Sequence, residues 1–323
     1  MLAPPTLPLI SVVLITYNGE RHLREQIESI LSQTYKNIEL VISDDHSGDK
    51  TVEILESYLP DPRIKLTLNN KNLGFRKNFE IACQQASGEL IAPADQDDIW
   101  LPEKLKKLQQ AIDENMLAYS NSRLMTEDGR LFDSDLGQHH NIRFVDGHCP
   151  RAFYLGNCIA AHTVLFRREI LQYLSPTPET LFHDQWLGFI AATMGSIKFV
   201  DQELVQYRQN PDSVTGKAGT SEHQSLRQRI REKHLRQTQR IDNKVLYLKR
   251  MLELQTELGR KDGLLENLIQ QYQLHDNYIF NRKLYQLLMK NSQELFTTYQ
   301  KKPERLAARE AAGNWLYKWL AHK

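Results

Sequence analysis

Strand and helix patterns alternate along the first ~120 residues, and this alternation restricts the chain to a small set of folds. Residues 9–15 form an almost uninterrupted apolar run, which is typical of a strand buried on both faces of a parallel sheet. A helix-spaced apolar series follows at 23–31, and a second strand-like run lies at 38–42. The alternation continues to a strand-like segment at 90–93. The sequence therefore predicts an α/β domain with a mostly parallel sheet.

Polar and acidic residues follow three of these predicted strands, at Thr16-Tyr17-Asn18, at Asp44-Asp45 and at Asp95-Gln96-Asp97-Asp98. Ligands of open α/β sheets bind at the carboxyl ends of strands. Three carboxylates within four residues repel one another unless a cation or a proton offsets the charge. Carboxylate oxygens suit hard divalent ions such as Mg²⁺ or Mn²⁺. A metal site is one interpretation of the last segment; a solvated acidic loop is the other. Asp44 and Asp45 are also typical turn caps.

Composition and missing motifs exclude several classes of protein. The formal net charge of +1 over 323 residues gives no argument for nucleic-acid binding. No predicted strand is followed by the glycine-rich signature of a dinucleotide site or of a phosphate-loop NTPase. Three cysteines without metal-type spacing argue against both a zinc site and a disulfide framework. No apolar run reaches the ~20 residues needed to span a bilayer, so we expect a cytoplasmic protein.

The pattern changes in the second half of the chain. Two short strands are predicted at 197–200 and 204–207, after a helix at 182–194 whose first turn contains Asp184. That aspartate is a candidate functional residue, although an acid in a first turn also simply complements the helix dipole. From about residue 221 the apolar residues approximate helical spacing. We therefore expect two units, 1–220 and 221–323.

The C-terminal segment at 315–320 combines Trp and Tyr side chains with a lysine. This composition is typical of a helix that lies in a membrane interface, which would give the protein a peripheral membrane contact. Packing of the same aromatic side chains against the domain is an equally good interpretation.

Taken together, five motifs resemble the family 2 glycosyltransferases, and most closely the bacterial rhamnosyltransferase-type enzymes of surface-polysaccharide assembly. In chain order they are Ser11–Gly19, Ser43–Ser47, Asn72–Gly74, Asp95–Trp100 and His183–Trp186. The resemblance covers about residues 8 to 218. It implies a GT-A fold, which is a Rossmann-like nucleotide-sugar-binding domain, followed here by a helical C-terminal extension.

The resemblance also implies a reaction. Enzymes of this kind move a sugar with inversion from a nucleotide-sugar donor to a hydroxyl group. For this chain we expect dTDP-rhamnose or a UDP-hexose as donor and a glycan or lipid-linked glycan as acceptor. The expected process is the assembly of lipopolysaccharide, O-antigen or capsule.

Individual roles follow from the same resemblance. Asp184 matches the catalytic base, and Asp95 and Asp97 match the DxD motif, with Asp97 as the direct metal ligand. Asp45 would accept a hydrogen bond from a pyrimidine ring, and Arg208 would contact the diphosphate. The full set of positions matching nucleotide-binding residues is Thr16, Tyr17, Asn18, Glu20, Asp45, Lys77, Asp95 and Arg208.

One position departs from the family pattern. Related sequences often have a histidine where this chain has Asn210, and an amide oxygen is a poorer ligand than imidazole for Mn²⁺. The metal site would then depend on Asp97, the diphosphate and water.

Two other functions remain open at this point. A non-catalytic nucleotide-sugar-binding or scaffold protein would use the helical extension for assembly, but Asp95, Asp97 and Asp184 are all intact. A nucleotidyltransferase would require a glycine-rich and basic phosphate loop after the first strand, and residues 16–20 do not form one.

Overall fold

The computed structural model describes residues 7–175, 183–209, 226–274 and 280–312. The strands are β1 (Ile10–Thr16), β2 (Ile38–Asp44), β3 (Ile64–Leu68), β4 (Leu90–Ala94), β5 (Ile99–Trp100), β6 (Leu117–Met125), β7 (Leu131–Asp135), β8 (Val164–Arg167) and β9 (Ile197–Arg208). The helices before residue 200 are α1 (Leu23–Leu31), α2 (Thr51–Ser57), α3 (Phe75–Gln85), α4 (Lys104–Ile112), α5 (Leu136–His140), α6 (Ala152–Leu155), α7 (Leu171–Leu174) and α8 (His183–Met194). The later helices are α9 (Leu226–Glu257), α10 (Gly263–Gln273), α11 (Arg282–Lys290), α12 (Ser292–Leu295) and α13 (Pro303–Ala311).

These strands form one sheet in the order β3-β2-β1-β4-β8-β6-β9-β5, and β7 pairs with β6 at the side. The first four strands of this order run parallel. β8 is antiparallel to both of its neighbours, whereas β6 and β9 run parallel. The predicted α/β fold with a mostly parallel sheet is confirmed.

The central strands are buried on both faces, as the apolar run in β1 predicted. Val12 and Leu14 belong to a hydrophobic cluster on one face of the sheet, which α1, α2 and α4 cover. Val13 points to the other face, where α3, α6 and α8 pack. A strand between two such layers cannot alternate apolar and polar residues, and β1 accordingly does not.

The prediction of two short strands at 197–200 and 204–207 is wrong, because β9 is a single strand of 12 residues. Polar residues at 201–203 interrupt the apolar pattern, but the strand continues its pairing with β6 through an irregular register. Glu203 lies opposite this irregularity and accepts from Arg123 Nε at 2.6 Å. The polar stretch is thus a bulged part of one strand and not a loop.

The C-terminal helices share a core with the sheet. Tyr247, Leu248 and Met251 on α9 join the same hydrophobic cluster as Phe153 on α6 and Trp186 on α8. The expected unit boundary at residue 220 and the aromatic segment at 315–320 lie outside the described residues, and both stay predictions. Within the described ranges, no helix is both long enough and apolar enough to cross a membrane.

Glu310 on α13 holds the C-terminal helices together through buried polar contacts. Its carboxylate accepts from Lys244 Nζ, from Arg240 Nη2 at 3.1 Å and from Tyr272 Oη at 2.9 Å. Burial alone would raise the pKa of Glu310, but Lys244 and the other donors lower it to about 2. The carboxylate is therefore ionised and fully paired at neutral pH.

We expect Glu310→Ala to lower the free energy of unfolding by about 3–5 kcal/mol at pH 7, because it leaves the Lys244 ammonium buried without a counter-charge. Urea denaturation measures this loss. Glu304→Ala, at an exposed position of the same helix, is the matched control and should change the value by less than about 0.5 kcal/mol. Equal stability of the two variants would contradict the prediction.

Candidate functional site

The carboxyl ends of β1, β2 and β4 meet at one edge of the sheet, and the polar turns that follow them are hydrogen-bonded to one another. Tyr17 N donates to Gln96 Oε1 at 2.8 Å, and Gln96 Nε2 donates back to Tyr17 O at 3.1 Å. Asn18 N donates to Ser47 Oγ at 2.9 Å, and Asn18 Oδ1 accepts from Gly48 N at 2.8 Å. The three segments singled out in the sequence therefore form one surface.

Gly19 leaves room for the Gln96 side chain. A Cβ atom at this position would lie 2.5 Å from Gln96 Oε1, the far end of that side chain. A substitution here would move the Gln96 amide and disturb its two hydrogen bonds with the Tyr17 main chain.

The two aspartates after β2 have different partners. Asp44 caps its own turn, accepting from Thr16 Oγ1 at 2.8 Å and from Ser47 N at 2.9 Å, as the turn-capping interpretation predicted. Asp45 accepts from Leu73 N and Gly74 N, both at 2.8 Å, and so fixes the loop before α3. Asp45 Oδ1 also accepts from Asn69 Nδ2 at 3.1 Å, so the remaining acceptor capacity lies at Oδ2.

Two expected nucleotide-binding residues lie at the margin of this surface. Glu20 Oε2 accepts from Lys50 N at 3.0 Å, which ties the turn after β1 to the start of α2. Lys77 is exposed and its Nζ lies 3.0 Å from Glu80 Oε2 within α3. The structure thus places Thr16, Tyr17, Asn18, Glu20 and Asp45 in one region, with Lys77 on a neighbouring helix.

Residues 95–98, called here the acidic loop, follow β4. Asp95 and Asp98 lie with His162 so that one ligand-type atom from each residue falls within 4.8 Å of the others. We call these three residues the acidic cluster. Asp98 is fully buried, its Oδ1 accepts from Arg208 N at 3.1 Å, and its Oδ2 has no hydrogen-bond partner among the described residues. A buried, unpaired carboxylate oxygen is costly unless a ligand or a proton completes it.

The three carboxyl groups of the acidic loop have raised pKa values, and burial is the largest cause for each. Desolvation, followed by the charge of Asp97, raises the pKa of Asp95 to about 7. Burial, followed by the charges of Asp95 and Asp97, raises the pKa of Asp98 well above its ordinary value. Burial also raises the pKa of Asp97, and His22 and Arg208 oppose this shift. A divalent cation would favour the ionised forms of all three groups.

His162 was not identified from the sequence. It is buried in a 3-10 turn (Ala161–Thr163) directly before β8, and its ring stacks on Tyr207 with centroids 4.2 Å apart. Its Nε2 lies 3.2 Å from Ser122 Oγ and its Nδ1 lies 3.8 Å from Asp95 Oδ2. Burial, and then the charge of Lys104, lower the pKa of His162 to about 3, so the imidazole is neutral at physiological pH.

A neutral imidazole beside carboxylates is a suitable donor set for Mn²⁺ or Mg²⁺, and more so for Mn²⁺. The composition of the acidic cluster and the unpaired Asp98 Oδ2 therefore fit a divalent cation. The cluster does not include Asp97, which the family resemblance indicated as the direct ligand. Asn210 lies outside the described residues.

Arg208 ends β9 and is almost completely buried. Its Nε donates to Asp97 O at 2.8 Å, its Nη1 to Glu127 O at 2.7 Å, and its Nη2 to Glu25 Oε2 at 2.9 Å. The guanidinium thus fastens the acidic loop to α1 and to the turn after β6. Because Arg208 is only 4% exposed, little of the guanidinium is open to a diphosphate.

Asp184 is the second residue of α8 and is partly buried. Burial raises its pKa to about 6, although hydrogen bonds from Gln185 N, at 2.7 Å, and from the Asn157 side chain partly offset this. Its charge in turn raises the pKa of Asp95, so the two carboxyls lie in one electrostatic environment. A carboxyl with a pKa near 6 is ionised at neutral pH and is still a useful proton acceptor.

Comparison with known proteins identifies relatives of the N-terminal half. Residues 11–174 match the family described as Glycosyl transferase family 2. An uncharacterized glycosyltransferase of Haemophilus influenzae is 38% identical over 109 residues, which cover 33% of this chain and 34% of that protein. The UDP-Glc:alpha-D-GlcNAc-diphosphoundecaprenol beta-1,3-glucosyltransferase WfgD of Escherichia coli is 41% identical over 99 residues, 30% of this chain and 38% of that protein. The chain thus spans little more than a third of the length of these two relatives.

Solved structures extend the similarity to nearly the whole chain. Residues 1–349 of S. aureus TarS in complex with UDP-GlcNAc superpose with a TM-score of 0.54 at 17% identity, covering 97% of this chain and 90% of that one. At this identity the likeness shows the fold, which is that of the GT-A glycosyltransferases. Because the family match includes 164 of 323 residues, from 11 to 174, this chain belongs to glycosyl transferase family 2.

Proposed function

We propose that this protein is an inverting glycosyltransferase that moves a sugar from a nucleoside-diphosphate donor to a hydroxyl group of a glycan or lipid-linked glycan. The proposal rests on the partly buried carboxyl of Asp184, whose pKa burial raises to about 6 and whose charge acts on Asp95 of the acidic cluster. WfgD, by its name, uses UDP-glucose and a diphosphoundecaprenol-linked sugar, and TuaG of Bacillus subtilis is named for teichuronic acid biosynthesis. Both names support a role in polysaccharide assembly.

In this proposal Asp184 is the general base. Its carboxylate removes the proton of the acceptor hydroxyl as that oxygen attacks the anomeric carbon. The bond from this carbon to the diphosphate oxygen breaks on the opposite side, its electron pair leaves with the nucleoside diphosphate, and the configuration inverts. A positioned base of this kind contributes ~10²–10⁴-fold to the rate.

The acidic cluster would hold Mg²⁺ or Mn²⁺, with Asp97 as a further ligand on the side of the diphosphate. A divalent cation at this place would neutralise charge that develops on the leaving diphosphate. Asp95, Asp98 and His162 come from two chain segments, so the site forms only in the folded protein.

The nucleotide would lie across the turns after β1 and β2. Asp45 Oδ2 keeps acceptor capacity for a pyrimidine N–H. Tyr17 is half exposed, and its main chain is hydrogen-bonded to Gln96 of the acidic loop. Thr16, Asn18 and Glu20 hold this surface in shape, and Lys77 supplies a positive charge at its margin. For Arg208 we propose an anchoring role for the acidic loop instead of direct contact with the diphosphate.

UDP-hexose and dTDP-rhamnose remain the proposed donors. The TarS complexes contain UDP and UDP-GlcNAc, which supports a uridine nucleotide. A lipid-linked acceptor would place the protein at the cytoplasmic face of a membrane, where the segment at 315–320 would make the peripheral contact.

Nucleotide binding should depend on metal. In a thermal-shift panel of UDP, dTDP, GDP and ADP, we expect UDP or dTDP to raise the midpoint, and to raise it further when Mn²⁺ or Mg²⁺ is added. Asp97→Ala should remove most of the metal-dependent part of the shift. Asp133→Ala, an exposed carboxylate on β7, is the control and should leave the shift unchanged. Absence of any shift from a folded sample would contradict the proposed function.

Asp184→Asn should lower turnover by about 10²–10⁴-fold and leave donor affinity within about twofold. For the wild type, kcat should rise with pH through about 6 and level off above it, because the base must be ionised. A variant that keeps most of its transfer rate would exclude Asp184 as the base.

The same substitution should stabilise the protein at high pH. In the folded protein the pKa of Asp184 is raised to about 6 from its ordinary value of 3.8. The free energy of unfolding therefore falls as the pH rises from about 4 to about 6, and it stays at the lower value above that. The asparagine side chain cannot ionise, so the variant avoids the cost of holding a charged carboxylate in this place. We expect its free energy of unfolding to exceed that of the wild type by about 2–3 kcal/mol at pH 8 and to equal it below pH ~4. Chemical denaturation at both pH values measures it, and an equal gain at both would contradict the electrostatic cause.

Arg208→Lys should lower the free energy of unfolding by about 2–4 kcal/mol, because a single ammonium cannot reach the three acceptors that the buried planar guanidinium joins. Arg123→Lys, at a partly exposed ion pair with Glu203, is the matched control and should cost less than about 1 kcal/mol. A stable Arg208 variant that loses affinity for UDP but not for uridine would instead support direct diphosphate contact.

A further inference from the structure

Lys104 begins α4, six residues after Asp98, and its side chain is completely buried. Lysine is rarely buried to this extent, because its amine must replace the hydration that it loses. Neither the fold nor the proposed chemistry has so far accounted for this side chain.

Two contacts replace the lost hydration. Nζ donates a hydrogen bond to the main-chain oxygen of His162 at 2.8 Å, and it lies 3.0 Å from the centroid of the Trp100 ring. Among the residues that the structure describes, no carboxylate forms an ion pair with Lys104. Its single strong polar link is therefore to the backbone of the residue that completes the acidic cluster.

This hydrogen bond joins two segments that are 58 residues apart in sequence. α4 follows the acidic loop, which provides Asp95 and Asp98, and the 3-10 turn before β8 provides His162. Lys104 thus fixes the distance between the two halves of the acidic cluster without belonging to it.

Two further contacts hold the ring of His162 itself. It stacks on Tyr207 and lies 3.2 Å from Ser122 Oγ, and both contacts act on the ring and not on the main chain. If the turn moved, the ring would move with it, and Nδ1 would leave its position 3.8 Å from Asp95 Oδ2.

We propose that Lys104 is a positioning residue that sets the affinity of the acidic cluster for a divalent cation by holding the His162 main chain against α4. The inference rests on the proposed function, which assigns a divalent cation to this cluster. It adds that the strength of the site depends on a side chain that does not touch the ion.

The expected size of the effect follows from other metal sites. Residues that orient a ligand without binding the metal typically change metal affinity by about 10–100-fold when they are removed. A side chain that only filled space would change the stability of the fold and leave the metal affinity of the folded protein unaltered.

The test is a direct titration of the full chain with MnCl₂, followed through the free Mn²⁺ signal in electron paramagnetic resonance. Lys104→Met keeps most of the stem and its contact with Trp100 but removes the donor. We expect its dissociation constant for Mn²⁺ to rise by about 10–100-fold, with metal-free binding of UDP changed by less than about twofold.

Lys107→Met is the matched control. Lys107 lies one turn further along α4, where Nζ pairs with Glu103 Oε2 at 3.3 Å and donates to Gln202 Oε1 at 2.7 Å. Its loss should leave the affinity for Mn²⁺ within about twofold of the wild type. If the Met variant at 104 does not fold, Lys104→Gln takes its place, since its amide is polar but one bond too short to reach the His162 oxygen.

Each other outcome overturns the inference in a distinct way. Unchanged Mn²⁺ affinity in a folded variant at 104, while the wild type binds Mn²⁺, would overturn the role of Lys104 alone. An equal loss in the Lys107 variant, or a parallel loss of metal-free UDP binding, would make Lys104 a general structural support. A wild type that binds no Mn²⁺ would overturn the proposed metal site and this inference with it.

Discussion

The arrangement of this protein depends on the crowding of carboxylates at the end of β4. Three aspartates within four residues cannot all be ionised in a desolvated place without compensation. The positive charge of Arg208 opposes the rise that burial causes in the pKa of Asp97, and Arg208 Nε donates a hydrogen bond to the main-chain oxygen of Asp97. Burial and the charge of Asp97 raise the pKa of Asp95 to about 7. Asp98 Oδ2 has no hydrogen-bond partner among the described residues, so a proton or a cation would complete the site.

The parallel half of the fold could be predicted because its signals are local. A strand buried on both faces must be apolar at every position, and β1 and β2 show this in the sequence alone. The polar residues at their ends meet because neighbouring parallel strands end at the same edge of the sheet. The full length of β9 could not be predicted, because it depends on contacts that are not local. The strand continues through the polar residues 201–203 by pairing with β6, and strand pairing is not visible in a single sequence.

The candidate site was only partly predictable for the same reason. The acidic loop was recognisable from its carboxylates, but His162 follows two alanines in an ordinary-looking stretch. Only the antiparallel pairing of β8 beside β4 brings its turn to the acidic loop. Lys104 is a charged residue at the start of α4, and nothing in the sequence indicates that it is buried. The candidate site therefore depends on contacts between segments that are distant in sequence, and short motifs do not reveal such contacts.

The C-terminal helices also contribute to the environment of Asp184. The main-chain oxygen of Phe153 on α6 accepts from Gln185 Nε2 at 2.9 Å and from Tyr247 Oη at 2.7 Å. Through this shared acceptor, α9 supports the first turn of α8, where Asp184 lies. Tyr247 is itself fully buried against the same core. The burial that raises the pKa of Asp184 is therefore produced jointly by the sheet and the helical extension, and the extension is a part of the candidate site's framework.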